Sequence, residues 1–219
     1  MSKVQRQHAG ARATGARKPR TKPAEVRRDD LMDAAARLFI AKGIDATTID
    51  EIVASADVAK GTFYHYFAAK TDVIAALRDR FAQGFVARVQ AAVDACPAGD
   101  AVGRLCAWTA AAVGAYLDQF QLHDIVFHDF GHDRRQSAEH DAVIDQLMTI
   151  LAAGIQKGTW SIESPRSTAI VIFHGMHGVV DDAIAAGSPD RAQIIDTLSA
   201  LFRRMLGDGT SRRAERDSA

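Results

Sequence analysis

The stretch "KGTFYHYFAAK", residues 60–70, places four aromatic rings and two lysines in a chain that is only 7% aromatic. Phe63 and Phe67 lie one helical turn apart, so both can face a protein core from one side of a helix. Tyr64, His65 and Tyr66 carry polar tips, which suit a core less well. The stretch therefore predicts a short helix over residues 60–67 that is buried on one face and meets a partner on the other.

Two helices are predicted before this stretch. An apolar stripe with helical spacing runs through residues 31–39, and Gly43 follows as a stop signal. Thr48 and Glu51 have the spacing of a capping box, which starts a short second helix. Asp57 comes next and tolerates the left-handed backbone of a tight turn. One longer helix followed by two short helices around a tight turn is the helix-turn-helix pattern.

The third helix of such a motif fits the major groove of DNA, which is about 12 Å wide. Its charged and hydroxyl groups can contact phosphates, which give affinity, and base edges, which give sequence preference. Gly61 lowers helix propensity, and we interpret it as a place where another backbone approaches closely. The outer and flanking positions are Lys60, Gly61, Thr62, Tyr64, His65 and Tyr66.

Residues 28–77 resemble the N-terminal domain of the tetracycline-repressor (TetR) family of bacterial transcription regulators. The matching elements, in the order and spacing of that family, are Leu38-Phe39 with Gly43, Thr47-Thr48, Ile52, Val58, Gly61-Thr62-Phe63-Tyr64-His65-Tyr66-Phe67 and Lys70. The resemblance implies base contacts from Lys60, Gly61 and Thr62. It implies phosphate contacts from Thr47, Thr48, Tyr64 and Lys70.

The chain departs from the family pattern in three ways. His65 and Tyr66 stand in the reverse of the common order, which leaves open which of them contacts DNA. Asp57 stands where the family usually has glycine, and Ala59 where it usually has a serine-like cap. A missing cap costs about 1 kcal/mol of helix stability, and it removes one phosphate contact.

The charge of the chain is unevenly distributed, although 27 basic residues balance 27 acidic ones. Residues 1–28 hold nine Lys or Arg against Glu25 alone. We interpret residues 1–24 as a basic, disordered arm. Such an arm either serves only solubility or enters a minor groove beside the recognition helix.

Helical periodicity continues beyond the motif, so the predicted fold class is all-α. The resemblance implies a helix-turn-helix DNA-binding domain over residues 25–77 and a larger effector-binding and dimerisation domain over residues 78–207, and we interpret residues 208–219 as a disordered tail. The later helices are predicted over residues 70–95, 100–120, 122–130 and 138–156, with two more beginning at Ser164-Pro165 and Ser188-Pro189.

The resemblance implies that the last two helices pair with those of a second subunit in a homodimer. Gly175 and Gly178 would permit the close approach of helices, and the partner would bury the terminal apolar stripe. The alternative is that the stripe completes the core of its own subunit. A dimer with two recognition helices predicts an inverted-repeat operator in double-stranded DNA. The stripe consists of Ile194, Ile195, Leu198, Leu201, Phe202 and Met205.

The resemblance also implies a cavity in the larger domain that binds a small-molecule effector. Ordinary core packing is the alternative for each candidate residue. The candidates for the lining are Trp108, Phe127, His128, Met148, Phe173, His174 and His177.

Two histidine runs raise the question of a metal. His174, His177 and Asp181 share one helical face, as metal ligands on a helix would. His123, His128 and His132 form the other run. Neither run matches a known metal signature, so no metal ligand and no cofactor is predicted. A metal-responsive regulator and a metal-dependent enzyme using the histidine clusters remain the alternatives.

The sequence thus predicts a ligand-responsive, DNA-binding transcriptional regulator, most often a repressor in this family, that is not an enzyme. It contains neither an H-E-x-x-H nor a G-x-S-x-G motif. Two cysteines suit a reducing compartment, and the apolar stretches are shorter than the roughly 20 residues that span a bilayer. We therefore expect a cytoplasmic protein without a membrane partner.

Overall fold

The computed structural model describes residues 24–128 and 138–207, and over these ranges every regular element is an α-helix. The helices are α1 (Ala24–Lys42), α2 (Ile49–Ser55), α3 (Lys60–Tyr66), α4 (Lys70–Asp94), α5 (Ala101–His128), α6 (Ala138–Gln156), α7 (Pro165–Ala185) and α8 (Arg191–Leu206). The all-α prediction is confirmed. The predicted tail, His132 and nearly all of the predicted arm lie outside the described residues.

Local signals end and start the first helices as expected. Gly43 follows α1 with φ +84°, and its amide donates to the carbonyl of Phe39 at 2.8 Å. The Thr48 hydroxyl accepts from the amide of Glu51 at 3.3 Å, and the Glu51 carboxylate accepts from the amide of Thr48 at 2.9 Å. Asp57 takes φ +54° in the turn before α3. The predicted capping box and left-handed turn are confirmed.

The buried residues form two separate cores. The first lies among α1–α4 and includes Leu31, Phe39 and Phe63, each with no exposed surface. Val126, near the end of α5, is fully buried in this same core. The second core fills the larger domain. The end of α5 therefore completes the core of the N-terminal head (residues 24–77), although this segment follows the predicted DNA-binding domain in the chain.

The predicted helix boundaries were wrong in three places. The predicted helices over residues 100–120 and 122–130 are one element, α5, with a break at Gln119 where φ is −137° and ψ is 19°. α3 ends at Tyr66, because Phe67 takes an extended backbone. The last helix begins at Arg191, after the predicted Ser188-Pro189 start, because the Asp190 carboxylate accepts from the amide of Gln193 at 3.1 Å and caps it there.

The terminal apolar stripe is divided between two environments. Ile194, Leu198 and Phe202 are buried in the larger core of the same chain, so the expectation that a partner buries them was wrong. Leu201 and Met205 remain 43% and 47% exposed.

None of the helices in residues 24–128 and 138–207 is both long and apolar enough to cross a membrane.

Candidate functional site

The aromatic side chains of α3 separate into an inner and an outer set. Phe63 is fully buried and packs against Phe67, with ring centroids 5.7 Å apart. Tyr64 is 52% exposed, and His65 is also exposed. Tyr66 is half-buried and packs against the N-terminal core. Of the two residues whose order left the DNA contact open, His65 therefore faces outward and Tyr66 supports the head.

The N-terminal end of α3 is also open. Ala59 occupies the cap position and makes no side-chain cap bond, as the sequence predicted. Lys60 and Gly61 are exposed, and Thr62 is half-buried. A Cβ at Gly61 would have no neighbour within 4 Å, so packing within the described chain does not require glycine there. An approach by another molecule would explain it.

Two carboxylates at the start of α2 form ion pairs with two of the lysines of the head. The Asp50 carboxylate lies 2.7 Å from the Lys60 ammonium, and this hydrogen bond raises the pKa of Lys60. The Glu51 carboxylate lies 2.6 Å from the Lys42 ammonium. That hydrogen bond, with those from the amide and hydroxyl of Thr48, lowers the pKa of Glu51 to about 2. The Glu51 carboxylate is therefore ionised at neutral pH.

The third lysine, Lys70, is bound to backbone. Its ammonium donates to the carbonyl of Ile44 at 2.5 Å and to that of Thr47 at 2.9 Å. The Thr47 side chain is only 1% exposed, and its hydroxyl donates to the carbonyl of Gly43 at 2.8 Å. The Thr47 side chain is therefore directed into the head, and the phosphate contact expected of this residue stays a prediction. Thr48 is exposed and remains a candidate, and the phosphate contact of Lys70 stays a prediction.

The folded head is acidic as a whole. Residues 24–77 contain six Lys or Arg against nine Asp or Glu, a net charge of −3 with neutral histidines. Residues 1–23 contain seven Lys or Arg and no acidic residue. The positive charge that attracts phosphates is thus concentrated before α1.

Six rings form a continuous contact network, here called the ring cluster, between α4, α5 and α7. Its closest ring pairs are Phe173 with His177, at 4.4 Å between centroids, and Tyr116 with His123, at 4.6 Å. The Tyr116 hydroxyl donates to the Asp181 carboxylate at 2.5 Å. The members of the ring cluster are Phe81, Tyr116, His123, Phe127, Phe173 and His177.

The ring cluster contains three of the predicted effector residues, Phe127, Phe173 and His177. Sequence reasoning missed Phe81, Tyr116 and His123 as members. The i, i+4 spacing of His123 and Phe127 was an available signal, because these rings stack at 4.8 Å. The other members come from separate helices, which spacing alone does not relate.

The remaining effector candidates lie in different surroundings. Trp108 is fully buried in the larger core, and its indole N–H has no hydrogen-bond partner among the described residues. Met148 is half-buried against the same core. His174 is exposed and touches the ring of Phe173 edge-on at 5.2 Å. The His128 side chain lies outside what the structure describes.

The metal alternatives gain no support from this region. Two of the candidate ligands have protein partners. The Asp181 carboxylate accepts a hydrogen bond from the Tyr116 hydroxyl, and His177 Nδ1 lies 3.1 Å from the carbonyl oxygen of Phe173. Over residues 24–128 and 138–207, no three His, Cys, Asp or Glu side chains are grouped so that they could hold an ion.

Arg78 links the ring cluster to the N-terminal head. Its Nε and Nη2 atoms donate to the carbonyl of Val126 at 3.1 and 2.6 Å. Its guanidinium also lies 5.4 Å from the ring centroid of Phe127. Val126 belongs to the head core and Phe127 to the ring cluster, so a displacement of the cluster would reach the head through adjacent residues of α5.

Comparison with known proteins supports this division into a head and a larger domain. Residues 31–77 match the family model of "Bacterial regulatory proteins, tetR family". The chain is 35% identical over 68 residues to the HTH-type transcriptional repressor KstR2 of Mycobacterium tuberculosis. That match covers 31% of this chain and 34% of the repressor, so it spans about a third of the length of the curated relative.

Solved structures extend the likeness to most of the chain. A bacterial regulatory protein in the tetR family from Rhodococcus RHA1 aligns with a TM-score of 0.66 and 23% identity, covering 86% of this chain and all of that one. The SmeT–triclosan complex aligns with a TM-score of 0.68 and 18% identity, covering 84% and 93%. SmeT is described as the repressor of a Stenotrophomonas maltophilia multidrug efflux pump. At these identities the likeness shows the fold.

Proposed function

We propose that this chain, which belongs to the tetracycline-repressor family of bacterial regulatory proteins, is a homodimeric, ligand-responsive repressor that binds an inverted-repeat operator. The observation that carries the proposal is the division of α3. Phe63 is buried, whereas Tyr64 and His65 are exposed beside the open backbone of Gly61. Such a role places the protein in the cytoplasm with the DNA it controls.

The proposed DNA contacts follow from this geometry. Lys60, Gly61 and Thr62 begin α3 and would enter the major groove first, as recognition helices do. Tyr64 and His65 flank them on the outer face. A side-chain hydroxyl or ammonium that binds phosphate fixes the position of the helix, and base-edge contacts supply sequence preference. Tyr66 supports the helix from the inside. Thr48 is exposed at the start of α2, and its hydroxyl would exchange its bond to the Glu51 carboxylate for one to phosphate.

Tyr64→Ala is expected to weaken operator binding about 10- to 100-fold for each subunit of the dimer, because a hydrogen bond to a charged phosphate contributes on the order of 1.5–3 kcal/mol. The operator would first be enriched from a random duplex library with the wild-type protein, and binding then measured by fluorescence anisotropy. Tyr64→Phe, which removes only the hydroxyl, should reproduce most of the loss. If neither variant binds more weakly, Tyr64 does not contact DNA; if the wild type enriches no inverted repeat, the proposed function is wrong.

The dimer is proposed from the exposed apolar side chains of the last two helices. Val171 on α7 is 54% exposed, and Leu201 and Met205 on α8 are exposed to a similar extent. A Cβ at Gly178 on α7 would have no neighbour within 4 Å, which leaves room for another helix. A second copy of the chain would cover these side chains and set the distance between the two heads.

Leu201→Asp is expected to weaken the dimer by about 100-fold or more, since burying an unpaired charge costs at least several kcal/mol. Sedimentation velocity over a range of protein concentrations would measure the change. Ile40→Asp is the matched control, because Ile40 is 42% exposed but lies on α1 in the head. Equal association of wild type and Leu201→Asp would exclude this face from the interface.

The effector is proposed to act at the ring cluster. A small molecule with an aromatic or apolar body would be bound by ring contacts, and the Tyr116–Asp181 pair offers a polar group beside them. The SmeT–triclosan complex supports the idea that a protein of this fold accommodates an aromatic ligand. Displacement of Phe127 would shift Val126 and Arg78, and a coupling of about 1–3 kcal/mol would change DNA affinity about 5- to 150-fold.

A further inference from the structure

The pair of Asp50 and Lys60 occupies a position that the proposed function does not explain. Asp50 lies in the first turn of α2, and Lys60 is the first residue of α3. Their charged atoms are 2.7 Å apart, with side chains 70% and 54% exposed. The pair thus joins the two helices of the helix-turn-helix on the face that would meet DNA, and it places a carboxylate where phosphates would approach.

The other lysines of the head are engaged in a similar way. Lys42 pairs with Glu51, and Lys70 donates to two backbone carbonyls. All three lysines of residues 24–77 therefore have partners within the described chain. Since the head also carries a net charge of −3, it is poorly suited to hold DNA of arbitrary sequence through phosphate attraction alone.

We propose that Asp50 is a specificity-determining residue that acts through Lys60. On DNA of arbitrary sequence its carboxylate keeps the ammonium from pairing with phosphate. At the operator, base-edge acceptors such as guanine O6 and N7 take the place of the carboxylate, because lysine bonds well to these atoms. Asp50 thereby lowers non-specific binding more than operator binding. This inference rests on the proposed DNA-binding function.

The test compares the salt dependence of binding to a random-sequence duplex and to the enriched operator duplex. Asp50→Asn should raise affinity for the random duplex on the order of tenfold per subunit at about 0.1 M salt and steepen the slope of log K against log salt by about 0.9 per subunit, as one added phosphate contact does. Operator affinity should change less, so the ratio of the two affinities falls.

Three further variants distinguish a specific effect of the Asp50–Lys60 pair on DNA binding from an effect of the net charge of the head. Asp45→Asn makes the same charge change at another exposed position of the head and should leave the slope unchanged. Asp50→Glu keeps a carboxylate and should retain the wild-type slope. In a Lys60→Gln background, Asp50→Asn should add nothing to the slope. Thermal unfolding of each variant would show that α2 remains folded.

Two results would overturn the inference while leaving the proposed function intact. Equal increases in affinity from Asp50→Asn and Asp45→Asn would mean that only the net charge of the head matters. A loss of operator affinity in Asp50→Asn without an increase on the random duplex would mean that Asp50 itself contacts a base. If the wild-type protein enriches no operator at all, the proposed function fails first, and the inference with it.

Discussion

Removal of residues 1–22 is expected to lower the affinity for operator DNA by about 10²–10³-fold at about 0.1 M salt, because giving up one phosphate contact costs on the order of eightfold there. The segment carries seven Lys or Arg and no acidic residue. Removal of about three such contacts over the whole dimer would give the expected decrease. The folded head cannot replace them, since residues 24–77 have a net charge of −3 and their lysines are already engaged.

The salt dependence distinguishes this electrostatic role from an effect on folding. The truncated protein should show a slope of log K against log salt that is shallower by about 0.9 for each phosphate that a subunit no longer neutralises. A full-length variant with the seven basic residues changed to glutamine is the matched control, and it should behave like the truncation. A slope equal to that of the wild type would leave only a solubilising role for residues 1–22.

The sequence predicted those features of the head that depend on neighbouring residues. The capping box of Thr48 and Glu51, the stop at Gly43 and the left-handed turn at Asp57 involve atoms that are close together along the chain. Phe63 and Phe67 face inward as the i, i+4 spacing predicted, although Phe67 lies just beyond the end of α3. In each case the local pattern and the backbone geometry leave one arrangement, so the structure agrees with the prediction.

What the sequence could not predict depends on segments that are distant along the chain. The Lys70 ammonium binds carbonyls 23 and 26 residues before it, and this contact accompanies the burial of Thr47. Val126 completes the core of the head from α5. The ring cluster likewise combines three helices. Spacing along one helix relates rings such as His123 and Phe127, but the contacts between helices and the link through Arg78 do not follow from it.

Phe63→Ala is expected to unfold the N-terminal head while the larger domain stays folded. Phe63 has no exposed surface, and truncating a buried phenylalanine costs about 3–5 kcal/mol. That cost is a large part of the roughly 5–15 kcal/mol that stabilises a whole domain. The head has its own core, joined to the larger domain by α4, which contributes to both cores, and by the end of α5, so we expect the loss to remain local.

Calorimetry of Phe63→Ala should show a separate, lower transition for the head, accompanied by the loss of operator binding. Tyr64→Ala is the matched control, because it removes the adjacent ring, which is 52% exposed. It should unfold within about 0.5 kcal/mol of the wild type, as surface substitutions usually do, and yet bind the operator weakly. The two variants would then show that Phe63 is needed for the folding of the head, whereas Tyr64 is needed for contact with DNA. If Phe63→Ala instead unfolded like the wild type and lost only DNA binding, Phe63 would face the DNA, and the division of residues 60–70 into inner and outer rings would be wrong.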